Sequence, residues 1–71
     1  MLSLDKEQQA RLGLELATKL QEHADLDAAI HTLSQTSKAD PMLLQRLKKR
    51  KLTLKDRIVE LEQLLLPDII A

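Results

Sequence analysis

The apolar positions of this chain form two stretches of helical spacing separated by one polar break. Leu12, Leu16, Leu20, His23, Leu26, Ile30 and Leu33 advance by three or four residues, a mean step near the 3.5 of a coiled-coil seam. Beyond the break, Leu44, Leu47, Lys51, Leu54, Ile58, Leu61 and Leu65 repeat that spacing. The break, Ser34-Gln-Thr-Ser-Lys-Ala-Asp-Pro41, is the one sustained turn-prone stretch. Asp40 is a good N-cap, because its carboxylate can accept from the unpaired amides of the following turn. Pro41 suits the first helical position, where its missing N–H is not needed. Pro67 cannot continue a helix.

The pattern therefore predicts a first helix over about 4–33 with a frayed first turn, a loop over 34–40, a second helix over about 41–66 and a tail over 67–71. A second helix of that length extends roughly 39 Å at about 1.5 Å per residue. So short a loop makes the two helices antiparallel neighbours. In that arrangement the two seams come into register, pairing Leu33 with Leu44, Ile30 with Leu47, Leu26 with Lys51 and His23 with Leu54. Leu20 then meets Ile58, Leu16 meets Leu61 and Leu12 meets Leu65. The paired residue numbers add to 77 in six cases and to 78 at Leu20–Ile58. Two independent periodicities that meet across one turn define an all-α fold, an antiparallel helical hairpin forming a single domain.

A hairpin alone has no closed core. Leu43, Leu52, Val59, Leu64 and Leu66 lie outside the narrow seam and widen the apolar stripe of the second helix. Two helices cannot cover that much aliphatic surface, so self-association into a helical bundle is expected, a homodimer before a trimer or tetramer. Ile69 and Ile70 are expected to pack over the end of such a bundle.

Composition agrees and removes several function classes. Seventy-one residues make one small domain. The chain has no Phe, Tyr, Trp or Cys, one Gly and two Pro. Disulfide stapling, thiolate zinc sites and thiol catalysis are thereby excluded. Good helix formers dominate what remains. The longest purely aliphatic run, Leu64-Leu-Leu66, is far too short for a membrane span or a signal-peptide core. The expectation is a cytoplasmic protein.

Net charge is zero, but unevenly spread: residues 1–39 carry four basic and six acidic side chains, and residues 40–71 carry seven and five. Such halves suit two segments that pack against each other, and their sum gives no long-range field toward nucleic acid or anionic lipid.

His23-Ala-Asp-Leu-Asp-Ala-Ala-Ile30, a short polar turn, and then Leu44-x-x-Leu47-Lys-Lys-Arg-Lys-Leu-Thr-Leu-Lys-Asp-Arg-Ile58 together resemble the YdcH family of small bacterial proteins, classed as a domain of unknown function. The resemblance covers about residues 20–60 and departs from the family pattern in a longer lead and in the Leu-Pro-Asp-Ile-Ile-Ala tail. It implies a coiled-coil fold. It brings no reaction, ligand or catalytic residue that could be carried onto these positions.

Among the polar residues, His23 and Asp27 lie one turn apart, with Lys51 level with both. An ammonium group has no lone pair to offer a metal, and no nucleophile stands beside a base and an orienting third group. These three are therefore expected to form a buried polar layer that fixes register, with Asp27 within hydrogen-bonding reach of Lys51 or His23. No catalytic, cofactor-binding or metal-binding residue is assigned, and no enzymatic activity is expected.

The basic block of Arg46, Lys48, Lys49, Arg50, Lys55 and Arg57 offers an alternative, nucleic-acid contact by neutralising phosphates. Against it, consecutive residues at about 100° spread around the helix instead of forming one face. With no aromatic residue, bases have nothing to stack on. A membrane-surface role is disfavoured because Asp56, Glu60 and Glu62 interrupt the cationic face. The reading favoured is a non-enzymatic interaction or structural module that binds copies of itself or an unidentified protein.

Overall fold

The computed structural model describes residues 4–66; the tail from Pro67, with the packing expected of Ile69 and Ile70, lies outside them. Two helices fill most of the described chain, α1 (Lys6–Ser34) and α2 (Pro41–Leu65). They pack against each other across one short loop as an all-α hairpin, with no strand among the described residues.

Side-chain chemistry accounts for where each helix begins and ends. α1 starts two residues later than periodicity alone indicates, because Asp5 and Gln8 form a reciprocal capping box. The Gln8 backbone N–H donates to the Asp5 carboxylate at 2.7 Å, and the Asp5 N–H donates to the Gln8 side-chain oxygen at 3.1 Å. Asp40 caps α2 by accepting from the Met42 N–H at 2.9 Å, with Pro41 in the first turn. At the far end, the Leu66 N–H donates to the Glu62 carbonyl at 2.8 Å and closes the last turn. No non-glycine residue among those described takes a positive φ, so neither helix end relies on a left-handed cap.

Burial follows a stricter period than hydropathy does. On α2, Leu54, Ile58 and Leu61 are buried, while Leu44, Leu47, Lys51 and Leu65 are half-buried; successive steps alternate between three and four throughout. On α1, Ile30 is buried and Leu12, Leu16, Lys19, His23, Leu26 and Leu33 are half-buried, again with alternating steps. This differs from the expectation at one place: Leu20 is 47% exposed and Lys19 takes the inward position. Strict alternation requires a residue at 19, and a lysine can fill it by laying its methylene stem along the seam while its ammonium reaches solvent. With Lys19 in place, every layer of the hairpin adds to 77, the Lys19–Ile58 layer included.

The molecule is a rod of 50 × 24 × 16 Å with a radius of gyration of 15.6 Å. A compact chain of this length would have a radius near 11 Å. The difference is what a two-helix layer implies: each helix has one neighbour, and the remaining faces meet solvent. Among the described residues only Ile30, Leu54, Ile58 and Leu61 are buried apolar residues. Leu14, Met42 and Leu52 are each more than three-fifths exposed.

Candidate functional site

Two cross-helix ion pairs flank the seam. Lys51 Nζ lies 2.5 Å from Asp27 Oδ1, joining the helices near the middle of the hairpin. The layer expected to be buried here is not: the Asp27 side chain is 59% exposed, and no polar or charged residue is buried among those described. A hairpin has no third element to close over this layer, so the pair forms at the surface. His23 is half-buried, and its side chain enters no hydrogen bond among the described residues. The Lys51 ammonium, hydrogen-bonded to Asp27, holds that carboxyl below its usual range, with smaller contributions from His23 and His31.

On the opposite flank, Arg57 Nε and one terminal nitrogen grip both oxygens of Glu15 at 2.7 and 2.8 Å, and its other terminal nitrogen donates to Glu60 at 2.6 Å. The two residues stand five positions off level, about 7.5 Å along the axis, a step taken up by the length of the two side chains. Bidentate geometry makes this the most directional polar contact of the structure. Its Arg57 hydrogen bonds lower the Glu15 carboxyl, and Glu15 and Glu60 in turn raise the guanidinium above its already high ordinary value. The signal for this contact was present in the heptad: Glu15 and Arg57 each directly precede a seam residue, Leu16 and Ile58, and such flanking positions face each other in an antiparallel pair.

Both depressed carboxyls make the hairpin acid-sensitive. Glu15 and Asp27 bind protons less readily folded than unfolded, so their contribution is complete above the ordinary values of 4.5 and 3.8. It is lost as pH falls through the lower folded values, because the unfolded chain then takes up more protons. Thermal melts are expected to show a midpoint that drops below about pH 4.5. Glu15→Gln should flatten that drop, and an unchanged profile would show that the Arg57 contact does not link folding to protons.

These contacts also redraw the basic block. Lys51 and Arg57 are engaged by carboxylates of the hairpin. Arg46, Lys48, Lys49, Arg50 and Lys55 are exposed and enter no ion pair among the described residues. They do not share one face. Arg50 lines an open groove between the helices with Glu22, Asp25, Leu26, Ala29 and Leu54, so it sits beside acidic side chains. Lys48, Lys49 and Lys55 lie on the outward side, interleaved with Leu52, Val59 and Leu66, which are 67, 39 and 47% exposed.

Chemical options are few. Among the described residues no three His, Cys, Asp or Glu side chains converge as metal ligands would. No helix there is long and apolar enough to cross a membrane. What the arrangement presents, among the described residues, is a rod whose helices meet through four buried aliphatic residues and two flanking ion pairs, with an apolar and charged outward face on α2.

The profile of the family described as "Protein of unknown function (DUF465)" matches residues 16–62, about two thirds of the chain. The chain belongs to this family. YdcH-like proteins are members of it, so the likeness carried by the His23–Ile30 and Leu44–Ile58 segments is a family relationship. The matched span takes in the loop and most of both helices, including Asp27, Lys51 and Arg57, and begins one residue after Glu15. No curated protein and no solved structure matches the chain. The DUF465 description assigns neither reaction nor partner.

Proposed function

We propose that this protein is a non-enzymatic coiled-coil module of the cytoplasm that acts by binding copies of itself through the faces its hairpin leaves open. The observation that carries this reading is the imbalance of burial: only four aliphatic side chains are buried among the described residues, while Leu52, Val59 and Leu64 of α2 and its C-cap Leu66 stand between 39 and 67% exposed. Aliphatic surface repeated along a stiff rod is the usual mark of an association face. The absence of aromatic and cysteine residues also supports binding over catalysis.

Light scattering on the full chain at tens of micromolar tests the proposal. A mass of twice the 8.1 kDa chain is expected, independent of salt to a first approximation because apolar contacts dominate. A mass of one chain at those concentrations overturns it.

Nucleic-acid contact is the second reading, favoured by the five basic side chains that enter no ion pair among the described residues. Gel shift against a salt series separates the two, since phosphate-driven binding weakens steeply as salt rises. No shift at low salt removes this alternative.

A further inference from the structure

The basic block as a whole spreads around α2, but three of its members do not. Arg46, Lys49 and Arg50 occupy positions i, i+3 and i+4, so they share an arc of about 100° within little more than one turn. That arc runs from the rim of the open groove, where Arg50 stands, toward the outward face. All three are exposed, and none enters an ion pair among the described residues. Their own helix cannot neutralise them, because no residue three or four positions from any of the three is acidic. Like charges at that spacing destabilise a helix, and the hairpin gives nothing back for it. The neighbouring helix holds one candidate partner. Glu22 and Arg50 stand one heptad on from Glu15 and Arg57 in the same register, both pairs of numbers adding to 72. Glu22 instead lies 3.8 Å from Lys19, which leaves Arg50 unengaged.

We propose that this edge of α2, Arg46 with Lys49 and Arg50, is a contact for the phosphate backbone of duplex nucleic acid. It rests on the second reading above and names its surface; self-association is not required for it. From Pro41 to Lys55, α2 carries six cations and no carboxylate. Protein interfaces are depleted in lysine, whereas phosphate neutralisation calls for clustered cations of one sign. The planar guanidinium groups of Arg46 and Arg50 match phosphate oxygens two at a time. With no aromatic residue to stack on bases, the contact is to backbone, and a duplex suits it better than a single strand. Anionic lipid fits the same edge poorly. Asp56 and Glu60 lie two turns beyond Lys49 and Thr53 on the same lines of the helix. A flat anionic surface laid along the rod meets those carboxylates, while a duplex crossing the rod at Arg46–Arg50 does not.

Gel shift of a short mixed-sequence duplex by the full chain, over a salt series, tests the assignment. Three phosphate contacts per hairpin give a slope of about −2.7 for log K against log salt, roughly a fortyfold loss between about 50 and 200 mM. Arg46→Gln combined with Arg50→Gln should bring the slope to about −0.9 and weaken low-salt binding at least tenfold. That variant should melt no lower than the parent, because a like-charge pair one turn apart is removed. Lys48→Gln combined with Lys55→Gln takes the same charge from the opposite edge of α2, beside the Lys51 that Asp27 already holds. Its binding should stay within about threefold of the parent. Glu22→Gln removes the acid nearest in register to Arg50 and should strengthen binding about threefold, a gain that misfolding cannot imitate. Equal losses from the two double variants would overturn this edge and leave nucleic-acid contact standing. No shift at low salt would overturn both. Cosedimentation with phosphatidylserine vesicles, without any duplex shift, would likewise overturn both and give the edge to lipid.

Discussion

Replacing Leu61 with alanine is expected to abolish the folded hairpin. Leu61 has no solvent exposure and Ile58 has 1%, and these two are the most deeply enclosed side chains among the described residues. Truncating a fully buried leucine costs about 2–5 kcal/mol, the transfer term plus the cavity left behind. Domains of this size hold only a few kcal/mol in reserve. With four buried apolar residues among those described, the hairpin has no second layer there to take up the loss. The expected result is a chain with weak, non-cooperative helical signal by circular dichroism at room temperature, without a sigmoidal melt. Leu14→Ala is the control, since Leu14 is 70% exposed on α1. Its melting midpoint should stay close to the parent, because surface substitutions fall within about 0.5 kcal/mol. If Leu61→Ala melted cooperatively near the parent temperature, stability would have to reside in the intermolecular faces instead of the seam.

Much of this architecture is legible in the sequence because the physics that sets it is local. Asp40 and Pro41 start a helix wherever they stand before a helix-forming run, so the turn needs no tertiary information. Leucines at steps of three and four mark the inward line, and a short loop leaves the helices no option but to run back on each other. The Asp27–Lys51 contact follows from the same register. Its exposure does not, because sequence shows which residues meet and not how many neighbours surround the meeting. The Asp5–Gln8 capping box was readable as an Asp-x-x-Gln signal, but the weak periodicity of the first turn hides it.

The Glu15–Arg57 grip illustrates a different limit. Its partners stand off level and outside the apolar line, so a search confined to seam layers passes over them. Once the helices are placed, flanking positions that each precede a seam residue pick out this pair. The outward charges of α2 are the complement of that case. Lys49, Lys55, Asp56 and Glu62 look like solvated surface in sequence, and only the packing of α1 shows that the hairpin supplies them no counter-charge.

Position 19 is where hydropathy and geometry disagree, and substituting it should raise stability. Reading by hydropathy selects Leu20 for the seam; reading by the alternating step selects Lys19, and burial sides with the step. The Lys19 side chain is 31% exposed and its ammonium stands 3.8 Å from Glu22, a long surface pair that contributes little. Lys19→Leu replaces a stem held straight for the sake of a solvated charge with a branched side chain level with the buried Ile58. Filling that layer is expected to add about 1 kcal/mol, roughly half of what burying a leucine fully contributes, because the site is open on one flank. Leu20→Gln, one residue on, removes an aliphatic group that is already half in water and should change the urea midpoint by the equivalent of under about 0.5 kcal/mol. If the seam instead ran through Leu20, the ordering would invert: the glutamine would cost about 2 kcal/mol or more and the leucine at 19 would only enlarge the exposed apolar surface. Urea titrations of the two single variants, compared at equal chain concentration, decide which residue the helix turns inward.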